Sequence, residues 1–244
     1  MALDRTGALV VLAILSFLPA VAYALWLRNQ ERFEREPVRA VLGALFYGST
    51  AGVAVAAVLE SLVHFDGVRD ASTLAILAFV VVSPPIEEFA KALGLPLVRR
   101  QMDELEDGIV YGTAIGLGFA ATETVVYANA ALSGSGAGLA FETIAIRTVS
   151  SLLLHAAAAA VVGFGYGYCR LTGRSMLHLV PYFVVAVGLH AGFNLLVLLS
   201  DVWGLVADIG LVVGLGLALR FRLRQLDGKA PMTEAALAAP AGDP

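Results

Sequence analysis

The sequence predicts an all-α protein, a polytopic transmembrane bundle of about seven spans with its N-terminus outside and its C-terminus in the cytosol. Three observations predict it. Apolar residues make up 59% of the 244-residue chain, against about 45–50% in a soluble domain. Charged residues make up only 15%, and they gather between long apolar runs. Mean hydropathy is +0.81. At roughly 20 apolar residues per crossing, the length suits six to eight spans with short connections. We therefore expect a single integral membrane domain over residues 1–226, a core about 72–199, and a disordered cytosolic tail, rich in Ala and Pro, over 227–244.

Seven apolar stretches carry the spans, roughly 7–27, 40–63, 72–95, 108–131, 141–169, 175–199 and 202–220. In the first, Ala22-Tyr23-Ala24 resembles a signal-peptidase site. A basic segment before it is nearly absent and the positive charge follows it, so a retained helix is expected. Loop charges set the orientation. Arg28, Arg32, Arg35, Arg39, Arg99, Arg100, Arg170, Arg174, Arg220, Arg222, Arg224 and Lys229 fall on one side, and Arg5 and Arg69 on the other. The run Ser133-Gly134-Ser135-Gly136-Ala137-Gly138 reads as a flexible outer loop. Cys169 is the single cysteine, so an internal disulfide is excluded. No basic patch interleaved with aromatics points to nucleic acid.

Ionisable side chains at membrane depth are costly and point to function. Counting inward at about 1.5 Å per residue, Glu87 and Glu88 reach the midplane of the third span, and Glu123 that of the fourth. His155 and His190 reach it in the fifth and sixth. Helices running in opposite directions thus bring five such groups to one depth. In the third span, Ser83-Pro84-Pro85 interrupts the helix or kinks it. Ser83 is placed to cap a new segment with Pro84 at its first position. Lys91 follows Glu87 by four residues and Glu88 by three, so it can pair with either.

The fourth span carries Gly108, Gly112 and Gly116, a stripe of small residues that admits a close neighbouring helix. Glu123 lies seven residues beyond Gly116 and shares that face, with Phe119 one turn before it. In the fifth, Ser151 precedes His155 by a turn, and Ala156 to Ala160 permit tight packing. In the sixth, Asn194 lies a turn after His190. It can orient the imidazole, stabilise an oxyanion, or bond a neighbouring helix. Arg147 is placed to snorkel to the outer interface.

Two imidazoles and a carboxylate can hold zinc with an open fourth position. Glu123, His155 and His190 supply the ligands, with Glu87 or Glu88 as the base that takes a proton from water. These residues also resemble a known family. Glu87-Glu88-Phe89-Ala90-Lys91 is similar to the EExxK motif of PrsW-type intramembrane proteases. Phe119-Ala120-Ala121-Thr122-Glu123 resembles their FxxxE element, His155 their third motif, and His190-Ala191-Gly192-Phe193-Asn194 their HxxxN-like fourth. Order and spacing fit across residues 83–194.

The resemblance implies a multi-pass peptidase of a prokaryotic plasma membrane, regarded as metal-dependent, cutting membrane-anchored regulators such as anti-sigma factors. Its expected catalytic residues are Glu87, Glu88, Lys91 and Asn194. CAAX-type prenyl-protein proteases are related but differ: an Arg stands there for Lys91 and a His for Glu123. Zinc chemistry and a metal-free, glutamate-activated water both remain open at this level. No HExxH and no GxGD is present, and the Leu226-Asp227-Gly228 tripeptide lies in the tail. A proton- or ion-coupled transporter would use the same buried carboxylates but lacks an internal repeat here. A scaffold without catalysis would not need the full set of motifs.

Overall fold

The computed structural model describes residues 5–30, 35–63, 71–199, 210 and 214, and these are mostly helical with no strand among them. The expected seventh span over 202–220 lies outside the described residues except for Gly210 and Gly214, and the tail after Asp227 lies outside them entirely.

Among the described residues, six segments are long and apolar enough to cross a membrane: Arg5–Arg28, Val38–Ser61, Ser72–Val98, Leu105–Ser135, Ala137–Leu171 and Met176–Leu199. Their ends fall within a few residues of the hydropathy boundaries. Helix α1 is Arg5–Arg28. The second segment is α2 (Val38–Tyr47), a π-helical stretch Gly48–Gly52, and α3 (Val53–Ser61). The third is α4 (Ala71–Ile76), a second π-helical stretch Leu77–Val82, and α5 (Ser83–Ala92). A 3-10 turn, Leu95–Val98, leads toward α6 (Leu105–Ser135), which is followed by α7 (Ala137–Val149) and α8 (Ser151–Leu171). A second 3-10 turn, Met176–Leu179, opens α9 (Val180–Leu199).

Three local expectations are corrected. The third segment is not capped afresh by Ser83, which makes no capping bond and donates instead to Glu60 Oε1. The prolines sit in the opening turn of α5, where their missing N–H groups cost least. The widened turn before them absorbs the mismatch without a break. The Ser133–Gly138 run is not a loop either. Helix α6 continues through Ser135, and Gly136 alone, at φ 92°, turns the chain into α7. Only glycine takes that backbone conformation without strain. The fifth span, finally, is divided at Ser150 (φ −120°, ψ −83°).

Helix α6 is the axis of the bundle. Its first turn is set by Asp107, whose Oδ2 accepts from the backbone N–H of Glu104 and of Asp103, each at 2.7 Å. Of its apolar window 78% is buried, against 22% for α1 and for the segment containing α9, which face lipid. The glycine stripe works as expected: Gly108, Gly112 and Gly116 lie against the backbone of Gly163, Ala159 and His155 of α8. In lipid such packing, rather than water exclusion, holds helices together.

At one end of α6, Tyr111 donates its hydroxyl to Glu36 Oε2, and Arg28 Nε donates to the Glu36 carbonyl at 2.6 Å. The chain between the first two segments is thereby tied to the axis.

Candidate active site

Helix α5 presents Glu87, Glu88 and Lys91 on its buried face, and all three lie inside the bundle. Lys91 Nζ donates to Glu88 Oε1 at 2.6 Å, while Glu87 Oε2 is 4.0 Å from it. Of the two partners the spacing allows, Glu88 is the closer. Across the interface, Lys91 Nζ stands 2.8 Å from His155 Nδ1 and 4.8 Å from the centre of the Phe119 ring. Phe119 in turn stacks on the His155 ring at 5.6 Å and 29°. Gly116 explains why His155 can approach so closely, because it lies directly against that residue's carbonyl.

These contacts determine which nitrogens carry hydrogen. An ammonium group only donates, so Nδ1 of His155 accepts and Nε2 bears the proton. That Nε2 faces Glu123 Oε2 at 3.0 Å. His190 is oriented in the same manner: its Nδ1 meets Glu88 Oε1 at 2.8 Å, a contact in which the carboxylate accepts. Its Nε2 is left facing Glu87 Oε2 at 3.8 Å. His155 Nδ1 is 3.9 Å from the same oxygen. The two rings meet edge to face, 4.7 Å apart at 77°.

Glu87, His155 and His190 therefore form one group whose ligand atoms all lie within 4.8 Å of one another. Glu87 Oε2 is buried and, like Glu88 Oε2 and Glu123 Oε2, accepts no hydrogen bond. Glu123, expected as the third ligand, stands behind His155, paired with Arg147 NH2 at 2.7 Å. Asn194 is buried near His190, and its Nδ2 donates to the Phe79 carbonyl at 2.8 Å in the widened turn before α5. Of the three roles its spacing allowed, a bond to a neighbouring helix is the one seen in these contacts. The site opens in one direction: Glu88, Lys91 and both imidazoles are at most 3% exposed, Glu87 11%, and Glu123 21%.

A family model described as PrsW family intramembrane metalloprotease matches residues 36–220, more than half the chain. The chain belongs to the PrsW family. Protease PrsW of Clostridioides difficile (strain 630) is 26% identical over 208 residues, covering 83% of this chain and 85% of the relative. Protease PrsW of Geobacillus kaustophilus (strain HTA426) is 25% identical over 216 residues, 87% of this chain and 90% of its own. Protease PrsW of Bacillus subtilis (strain 168) is 25% identical over 190 residues, 76% and 82% respectively. No solved structure matches. As a family member with six candidate spans, this is a multi-pass integral membrane protease of a prokaryote, with a protein as its substrate.

The matched family is described as a metalloprotease, and the donor set here could hold a metal ion. Zinc bonds of about 2.0–2.2 Å keep tetrahedral ligands roughly 3.4 Å apart, and Glu87 Oε2 lies 3.9 and 3.8 Å from the two imidazole nitrogens. Of the three carboxylate oxygens here that accept no hydrogen bond, Glu87 Oε2 is the one that faces both imidazoles. Each imidazole also has its far nitrogen on a carboxylate, Glu123 or Glu88, the arrangement that orients metal-binding histidines. Lys91 stands close to Nδ1 of His155 and retains Glu88 as partner when that lone pair is used elsewhere.

Arg147 was expected at the outer interface. It instead turns inward to Glu123, with its side chain 17% exposed. Its only sequence signal was position, four residues before Ser151, whose hydroxyl it reaches at 2.9 Å.

Proposed function

We propose that this chain is an endopeptidase that cuts a membrane-anchored protein, of the anti-sigma-factor-like kind, within the bilayer. The attacking water sits among Glu87, His155 and His190. The observation that carries this reading is the convergence on one point of Glu87 Oε2, His155 Nδ1 and His190 Nε2, with both far nitrogens held by carboxylates. We assign the catalytic core to residues 72–199 within a membrane domain spanning 1–226.

Glu87, His155 and His190 are the residues that would hold zinc, with Glu123 placed behind His155 instead of on the metal. When bound, zinc would acidify a water molecule and polarise the substrate carbonyl. Glu87 has two carboxylate oxygens, so one can ligate while the other takes the proton and delivers it to the departing amine. Lys91 and Glu88 form a buried pair that holds His190 in its tautomer and balances charge near Glu87. Asn194 spends one amide hydrogen on Phe79, and the second is the donor we assign to the developing oxyanion.

The test is Glu87→Gln, which preserves shape and removes both the base and the carboxylate charge offered to a metal. Loss of a general base costs about 10²–10⁴-fold in rate. Cleavage of a single-span reporter should fall by that much in a protein that still inserts. Wild-type cleavage by that variant would refute the assignment. Zinc content of wild type beside His190→Ala then decides the metal: about one ion per chain, lost on substitution, supports the ligand set, and none in either supports glutamate-activated water alone.

A further inference from the structure

Arg147 turns its guanidinium to the interior of the protein. Its NH2 is 2.7 Å from Glu123 Oε2 and 2.9 Å from Ser151 Oγ, and its Nε donates toward Thr124 Oγ1 at 3.3 Å. The guanidinium lies 4.3 Å from the centre of the Tyr127 ring. Three helices therefore hold one side chain: α7 carries it, α6 supplies Glu123, Thr124 and Tyr127, and α8 supplies Ser151. A planar fork with several donors and a stacking face suits such a site, whereas an ammonium would satisfy only part of it.

The oxygen of Glu123 that forms an ion pair with Arg147 is also the one facing His155 Nε2 at 3.0 Å. Resting on the reading of the site given above, we propose that Arg147 is a positioning residue: by gripping Glu123 it keeps the Nε2–H of His155 outward and its Nδ1 lone pair on the reacting centre. Without the guanidinium, Glu123 is free to leave Nε2, and the imidazole, whose tautomer Lys91 still fixes from Nδ1, loses the contact that sets its angle. Outer partners of a functional imidazole are worth about 10–100-fold in affinity or activity.

The experiment compares Arg147→Gln, Glu123→Gln, the double variant and Arg147→Lys. One readout is kinetic, on a quenched-fluorescent single-span peptide cut by the wild type. Arg147→Gln should lower kcat by about 10–100-fold with KM unchanged. The double variant should be no slower than Glu123→Gln, because both substitutions break one link. Arg147→Lys should recover part of the loss. The other readout is independent of cleavage: proton–nitrogen-15 NMR of histidine-labelled protein in detergent should show the Nε2–H of His155 shifted downfield by the Glu123 carboxylate in the wild type, and that shift lost in Arg147→Gln, while the tautomer stays as Lys91 sets it. Losses that multiply in the double variant, or an unchanged Nε2–H resonance in Arg147→Gln, overturn the proposal. Should Arg147→Gln fail to insert, Glu123→Gln breaks the same link from the other side, and an unchanged resonance there overturns it equally. Activity retained by Glu87→Gln would sink the reading of the site, while the Nε2–H result would still decide the role of Arg147.

Discussion

Consider adding one methyl group to the axis of the bundle, by Gly116→Ala. A Cβ at that position would lie 2.7 Å from the His155 carbonyl carbon and 3.0 Å from Ala159 Cβ, and closer still to the His155 carbonyl oxygen. Ordinary contact begins near 3.4 Å. The atoms it meets on α8 are mostly backbone, so no rotamer change relieves the clash, and α8 must retreat by about 0.7 Å or more. That shift moves His155 away from Glu87 and Lys91. A misplacement of about 1 Å at a reacting centre costs about 100-fold in rate, so kcat should fall roughly 10–100-fold. The assay is cleavage of a membrane-anchored reporter in liposomes, with insertion and melting temperature followed in parallel. Gly43→Ala is the control, since nothing lies within 4 Å of the added methyl there, and it should behave as wild type. Wild-type kcat in Gly116→Ala at an unchanged melting temperature would refute the claim that this contact sets the position of His155.

Lys91→Met leaves Glu88 buried without its cation, and removing one member of such a pair costs about 3–5 kcal/mol. A loss under about 1 kcal/mol by thermal unfolding in detergent would show that the pair is not what stabilises this face. Asn194→Ala removes a single interhelical bond, worth about 0.6 to 1.7 kcal/mol in a membrane protein. A small drop in stability with a fall in kcat of about 100-fold or more fits an oxyanion donor, and proportionate small losses in both fit packing alone. Glu36 lies between the first two segments, where burial lifts its carboxyl above the ordinary value of 4.5 despite the Tyr111 hydroxyl bonded to it. The folded protein then holds that proton more tightly than the unfolded chain, so stability falls as pH rises from about 4.5 through the folded value. Glu36→Gln should flatten that slope in melting curves taken between about pH 4 and 7, and an unchanged slope would assign the effect to other groups.

Depth was legible in the sequence, and rotation about each helix axis was not. Residue count times rise brought Glu87, Glu88, Glu123, His155 and His190 to one level, and the coordinates gather all five. The count says nothing of azimuth, so it did not separate Glu87, which faces both imidazoles, from Glu123, which stands behind one of them. Arg147 was misjudged for the same reason: a long cation near a span's end suits water or a buried anion equally, and only the position of Glu123 decides. Composition misled at Ser133–Gly138 because small flexible residues signal a turn, yet one positive φ at Gly136 suffices to make it. At Ser150 neither Gly nor Pro announced the division, and at Ser83, where the sequence left a fresh start and a kink equally open, the widened turn carried the helix through.

The closed end of the site has a bioenergetic consequence. Beneath Glu88 and Lys91 the lining is Ala92, Leu95, Gly112, Ile115, Ala159 and Val162, with no further ionisable side chain. This stretch of wall offers a proton on Glu87 no ionisable group and slows its passage toward the Tyr111–Glu36 pair at the end of α6. A layer of small and aliphatic side chains beside a hydrolytic centre in a coupling membrane thus acts as a resistance to leakage down the gradient.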